Sequence, residues 1–187
     1  MKTNFTALLY FLPLALAHAA ELESFSSAEF RVIATMPKEV LSSKAQQANG
    51  TLGSFKAFDA ENSAFYMLSV FQVTEFMQEP ANSKLDWSKL LSTHFKSWSG
   101  GHKPQPNTVV ETPGKWNENP AIRFSYTTAG FVGDGVTAYH RGMTTIRGGV
   151  YYSLSVVSLE SDASASKAAT RLEESFMVLD SLMKKAK

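Results

Sequence analysis

The chain has 187 residues, 18 Lys and Arg against 17 Asp and Glu, a formal net charge of +1 and 44% hydrophobic residues. That balance leaves no basic block to grip a phosphate backbone or an anionic lipid surface, which argues against nucleic acid as a partner. With Cys 0 there are no disulfides and no thiolate metal ligands, so stability must come from an ordinary hydrophobic core.

Met1-Lys2 leads into an apolar run from Phe5 to Ala17, and Ala17-His18-Ala19 puts small residues at the two positions a signal peptidase reads. The expected leader is residues 1–19, cleaved after Ala19. Pro13 interrupts the run and Glu21 and Glu23 follow it, whereas a retained anchor needs about 20 apolar residues. No cysteine stands at the cleavage point to take a lipid, and no later stretch is apolar enough to span a bilayer. Loss of Lys2 leaves 17 basic and 17 acidic residues. The expectation is a near-neutral single domain, residues 20–187, in the periplasm or secreted.

A polar lead-in precedes Phe30 to Thr35, where Phe30, Val32 and Ala34 alternate with Arg31, Ile33 and Thr35 before Met36-Pro37 stops the pattern, as a strand does. Val40 to Gln47 is polar and extended. Asn49-Gly50 has turn chemistry, with Leu52 to Phe58 as the returning strand. Ser63 to Phe76 is an almost unbroken apolar and aromatic run, which predicts a strand buried on both faces and therefore cover on both sides of the sheet.

From Asp86 to Trp98 the period changes: Trp87, Leu90, Leu91, Phe95 and Trp98 fall three or four apart, with Asp86 as N-cap and Gly100-Gly101 as the stop. His102 to Asn107, with Pro104 and Pro106, reads as a surface connector. Four strands follow: Thr108 to Thr112, Ala121 to Thr128, Val136 to Ile146 and Val150 to Leu159, with a hairpin turn at Gly148-Gly149. Asp162 then caps a helix marked by Ala165, Ala168, Leu172, Phe176, Leu179 and Met183, with Lys184, Lys185 and Lys187 at its negative end. Sequence-adjacent strands with only two long helices predict an α+β fold: a mostly antiparallel sheet of about six or seven strands flanked by helices.

Four segments carry a family likeness: FRVIATMPKEV near the mature start, GTLGSFKAFDAENSAFYMLSVFQV after it, GGVYYSLSVVS as the last strand and RLEESFMVLDSL at the end. Their order resembles the PsbP-like superfamily, which includes the PsbP subunits of photosystem II, the nuclear Ran-binding Mog proteins and bacterial exported proteins of the DcrB type. The resemblance covers most of residues 28–182 and rests on packing and turn patterns. It implies an α/β/α sandwich in a superfamily whose members mostly bind or help assemble other proteins without doing chemistry. The leader fits the exported bacterial branch. Fold alone does not fix function.

Catalytic patterns find little support. Gly133-Asp134-Gly135-Val136-Thr137-Ala138 matches the dinucleotide fingerprint in letters, but a strand follows where a helix must begin, so these glycines read as a hairpin loop. His94, His102 and His140 fall on a helix, a loop and a strand without metal-ligand spacing; His94 reads as a helix flank and His102 as a solvated loop residue. No serine sits on a nucleophile elbow. Asp59 with Glu61, and Glu173 with Glu174, read as solvated charge. Asn49-Gly50-Thr51 is a formal glycosylation acceptor. No cofactor and no metal are expected, and an enzyme is the least favoured reading.

The cluster with most binding character is Arg123, Tyr126, Tyr139, His140 and Arg141, with Trp116 upstream and Phe131 at a glycine-rich tip. Aromatic and arginine side chains dominate binding hot spots because they join large contact area to directed donors. The alternative is that Tyr126 is core and the arginines project into solvent. The favoured function is therefore a non-catalytic protein-binding or assembly module with a protein partner in the cell envelope. The second is a carrier of a small apolar ligand or lipid held between sheet and helix.

Overall fold

A computed structural model describes residues 21–77, 85–130, 133 and 135–179. The expected leader, Phe131 and the end of the chain beyond Leu179 lie outside the described residues. Among the described residues ten strands and three helices follow in the order β1 (Leu22–Ser27), β2 (Val32–Pro37), β3 (Leu41–Gln47), β4 (Gly50–Asp59), β5 (Ala64–Val73), α1 (Thr74–Met77), α2 (Trp87–Gly101), β6 (Val110–Trp116), β7 (Asn119–Ala129), β8 (Thr137–Arg147), β9 (Val150–Ser158), α3 (Asp162–Ser175) and β10 (Met177–Val178). Seven strands form one antiparallel sheet in the order β3-β4-β5-β9-β8-β7-β6, and β1-β2-β10 form a small second sheet. Among the described residues no helix is long and apolar enough to cross a membrane.

The α+β expectation holds, with one long helix on each face of the large sheet. Helix α3 packs on β8, β9 and β2, and the small sheet extends its layer, while α2 packs on β7 and β8 from the other side. Side chains alternate across a pleated strand, so the register assigns each residue to a face. Phe55, Tyr66, Leu68, Val70, Met143, Tyr152, Leu154 and Val156 form the core on the α3 side with Phe30, Val32, Ala34 and Leu172. Val73, Ile122, Phe124, Tyr126, Ile146 and Tyr151 form the core on the α2 side with Leu91 and Phe95.

Several boundaries move, each for a local reason. The polar lead-in is a strand: β1 pairs with β2 along six residues, from Leu22↔Pro37 to Ser27↔Val32. The opening strand thus belongs to the small sheet. The β3–β4 turn is Ala48-Asn49, because Gln47 pairs with Gly50. Gly50 is instead a close-approach residue, where a Cβ would lie 2.2 Å from the Gln72 carbonyl oxygen. In β5 buried residues alternate with half-buried ones, so only one of its faces is fully covered. The strand buried on both faces is β9, fourth of seven in the sheet, in which every residue is buried.

Strand β6 runs through Pro113 and Gly114 to Trp116. A proline is tolerated there because β6 is an edge strand. Asn117 and Glu118 make its turn with positive φ of 46° and 64°, and Gly148 and Gly149 do the same between β8 and β9 at 55° and 77°. After Gly135 the chain is strand and not helix, which removes the dinucleotide reading.

Asp86 caps α2 by accepting from the Lys89 amide at 3.0 Å, as expected. Helix α3 is capped by Ser161, whose Oγ accepts from the Ser164 amide at 3.1 Å; Asp162 is its first residue. It ends at Ser175, not beyond Met183. Ser175 Oγ donates to the Leu172 carbonyl at 3.1 Å and accepts from the Thr35 amide at 2.8 Å, holding the chain against β2. Phe176 then turns extended and drives its ring between Trp116 and Tyr152, at 5.1 and 5.6 Å.

Candidate functional site

The alternation that builds the sheet divides the expected binding cluster between two faces. Ser125 pairs with Arg141, and Arg123 with Met143, so both arginines and Tyr139 lie on the α3 side. Tyr126 pairs with His140, and both lie on the α2 side. Trp116 is 8% exposed in the α3-side core against Phe176, and His140 is 1% exposed. Tyr139 is half-buried. The named residues therefore do not converge on one surface.

The arginines hold α3. Arg123 donates from Nε to Glu173 at 3.1 Å and pairs with the same carboxylate through its terminal nitrogen. Arg141 makes two bonds to Asp162, at 2.9 and 2.6 Å. The hydrogen bonds from Arg141 hold the Asp162 carboxyl below the usual carboxylate range, and Asp162 in turn raises the Arg141 guanidinium. These pairs are partly exposed, so each contributes about 1 kcal/mol or less. Replacing both arginines with Ala is expected to lower the melting temperature by about 2–5 °C in a thermal scan. A drop beyond 10 °C would mean that they do more than clamp the helix.

Under α2 lies an aromatic and histidine layer. Phe124 meets Phe95 at 5.0 Å and Trp98 at 5.2 Å. His94 stacks on Tyr151 at 4.1 Å, and His140 on Tyr126 at 4.4 Å. His102 is not a solvated loop residue. Its ring packs on Trp98 at 4.5 Å, and its Nδ1 lies 2.6 Å from the Tyr126 hydroxyl. Burial raises the pKa of Tyr126. The phenol therefore stays protonated and shares a hydrogen bond with His102 Nδ1.

His140 Nε2 lies 2.9 Å from Thr128 Oγ1. Burial lowers His94 to about 4 and His140 to about 3, with the neighbouring His102 adding to the latter. Burial also lowers His102, helped by the charge of Lys56. The histidines are thus neutral near pH 7 and serve as packed stacking rings, with His102 and His140 also hydrogen-bonded to Tyr126 and Thr128.

Among the described residues no three of His, Asp and Glu converge as a metal site. Asp59 is buried and not solvated: its oxygens accept from the Asn62 amide at 3.1 Å and side chain at 2.8 Å, closing the β4–β5 turn. A cleft of about 110 Å³ lies between α3 and β7–β8, bounded by Arg123, Arg141, Ser166, Thr170 and Glu173. It is smaller than the ~300–1,000 Å³ of ordinary ligand sites. A second cleft of about 300 Å³ lies at the small sheet beside Phe25, Met36 and the Glu23–Lys38 ion pair.

A surface open to contact is one the sequence did not single out. Because α2 covers β7 and β8, it leaves the same face of β3 and β4 open. Leu41 is 75% exposed there and Phe58 42%, with the Phe58 ring 4.5 Å from Phe65. Leu52, Lys56 and Met67 share this face and are half-buried. The available signal was the alternation in Leu52 to Phe58: Gly53, Phe55 and Ala57 point inward, and Leu52, Lys56 and Phe58 outward. Two apolar residues on the outward face of a strand next to an edge are unusual enough to mark it.

A solved structure shares this architecture. The chain resembles cyanobacterial PsbP (CyanoP) from Synechocystis sp. PCC 6803, solved in solution, with a TM-score of 0.52 and 11% identity over 89% of this chain and 99% of that one. No family model and no curated protein matches the chain. At that identity the likeness is one of fold: the chain has a PsbP-like fold.

Proposed function

We propose that the protein is exported, loses residues 1–19, and acts in the periplasm or outside the cell as a non-catalytic module that binds another protein during assembly. The reading is carried by one observation, the open apolar half-face of Leu41 and Phe58 beside Phe65 and Met67. Burial of such a patch is the ordinary driving force of association, worth roughly 25 cal/mol per Å². The neutral, packed histidines and the arginines spent on α3 offer no competing chemistry. The PsbP-like fold supports a binding role by analogy.

Photo-crosslinking in the source cell tests it. A benzophenone side chain at position 58 or 41 should give a discrete adduct with one envelope protein, while the same group at exposed Lys115 gives none. Equal adducts from all three positions would count against the patch. N-terminal sequencing of the mature protein should begin at Ala20; retention of Met1 would remove the export reading.

A further inference from the structure

The two edges of the seven-stranded sheet are built differently. An unpaired edge is a row of free N–H and C=O groups, and proteins blunt such edges with proline and charge. In a two-residue hairpin the residues flanking the turn form a hydrogen-bonded pair, and pairing alternates from there. At β6 the flanking pair is Trp116↔Asn119, so Gly114 and Thr112 turn their amides toward β7, and Lys115, Pro113 and Glu111 turn theirs outward. Pro113 thus removes an N–H from the outward row, and its neighbours there carry one charge of each sign. That edge is closed.

At β3 the flanking pair is Gln47↔Gly50. The Asn49 carbonyl accepts from the Thr74 amide at 3.0 Å, on the β5 side, which confirms that Gly50 turns toward β3. Ser42, Lys44 and Gln46 therefore present their N–H and C=O groups outward. All seven residues of β3 are exposed, none is proline, and Lys44 carries the strand's one charge. A row of three residues with no proline and a single charge at one edge, opposite a proline-blocked edge, is a template for strand addition to a segment that matches that charge.

We propose that β3 accepts an extended segment of a partner protein as an eighth strand, with alternating apolar and polar residues and a carboxylate across from Lys44. This rests on the protein-binding reading and names its mode. The alternation follows from the register: Leu41, Ser43 and Ala45 share the face of Leu52 and Phe58, so apolar side chains of the incoming strand extend that patch. Ser42, Lys44 and Gln46 share the other face. The Lys44 ammonium is paired with Glu29, but both side chains are more than half exposed, at 54% and 55%, so a second carboxylate reaches it without desolvating a buried charge. A second copy of this chain fits poorly: antiparallel pairing of β3 with itself in full overlap sets Lys44 against Lys44, a repulsive cross-strand pair.

The probe is a synthetic peptide of about nine residues alternating threonine and valine with a central glutamate. It should slow hydrogen exchange at the Ser42, Lys44 and Gln46 amides by about tenfold or more and leave Ala45 and Gln47 unchanged. A central lysine in the peptide should weaken binding by about tenfold, and Lys44→Glu should reverse that preference. Ser42→Pro, which removes one outward N–H without touching the β3–β4 ladder, should abolish binding at an unchanged melting temperature.

Should Ser42→Pro unfold the edge, the charge reversal decides by itself. No protection at millimolar peptide, protection elsewhere, indifference to the charge swap, or a dimer in light scattering overturns the proposal. A partner crosslinked at position 58 that still binds the Ser42→Pro protein would overturn strand addition and leave the binding reading intact; absence of any adduct at positions 58 and 41 while Ser42 is retained would remove the reading itself.

Discussion

Gly142→Ala is expected to destabilise the protein by about 3 kcal/mol or more, because the new methyl has nowhere to go. An ideal Cβ at Gly142 lies 2.0 Å from the Leu154 carbonyl oxygen and 2.9 Å from the ring of Phe124 and the Ser155 Cα. Two of these neighbours are backbone of β9, the strand buried on both faces at the centre of the sheet, so neither yields without moving a ladder. The third is a ring that the glycine admits: Phe124 pairs with Gly142 across the β7–β8 ladder, and its ring is the seat for Phe95 and Trp98 of α2. The change should therefore strain the sheet and loosen α2 together. At ~2–4 °C per kcal/mol, the melting temperature should fall by roughly 6–12 °C. Gly101→Ala, where nothing lies within 4 Å, is the control and should move it by little. Equal stability of the two variants would mean that β8 and β9 part more readily than their register implies.

What the sequence made legible is what depends on pattern at short range. The switch from the unbroken apolar run of β5 to the helical spacing of α2 locates both elements, and Gly148-Gly149 marks its turn because that turn needs positive φ at both positions. Boundaries set by tertiary contact were not legible. The small polar strand β1 exists because β2 offers it an edge, and α3 stops at Ser175 because Thr35, 140 residues away in sequence, supplies a partner for its hydroxyl. Helical spacing through Leu179 and Met183 carried no sign of that bond. Pro113 hid the second half of β6 because a proline breaks an internal strand but not an edge.

The binding cluster shows the same division. Arginine and aromatic residues crowd the segment from Arg123 to Arg141, yet crowding in sequence says nothing about faces until the register is known. With Tyr126 opposite His140 and Ser125 opposite Arg141, adjacent positions point to opposite sides of the sheet. The arginines find Glu173 and Asp162, acids that belong to a helix later in the chain. The open patch was harder still to see. It exists because α2 is placed over β7 and β8, and the position of a helix over a sheet is a packing result that hydrophobic periodicity does not specify.

Acid should unfold this protein from the α2 side, and the histidines give the window. In the folded chain His94 titrates at about 4 and His140 at about 3, both pushed down from 6.5 by burial. The unfolded chain therefore binds more protons than the folded one between pH 6.5 and these values. Stability is full above pH 6.5 and falls as pH drops through the window, levelling off below about 3. Each pKa unit is worth about 1.4 kcal/mol, so by pH 5 the two residues together remove on the order of 4 kcal/mol. That is a large share of the ~5–15 kcal/mol that holds an ordinary domain together.

The packing around these rings supports so large an effect. His94 lies between Tyr151 and Phe71, and His140 between Tyr126 and His102, and burial among these rings is the first cause of the lowering at each. Urea unfolding at pH 7 and pH 5 tests the argument. His94→Phe keeps the stack on Tyr151 and removes the proton, so its loss over that interval should be about 2 kcal/mol smaller than that of the parent chain. His140→Gln should show a similar saving on top of a lower starting stability, because the amide still reaches Thr128 but no longer stacks as a ring. A parent and a His94→Phe protein that lose the same stability between pH 7 and 5 would mean that the rings reach water more easily than their packing against Tyr151 and Tyr126 allows.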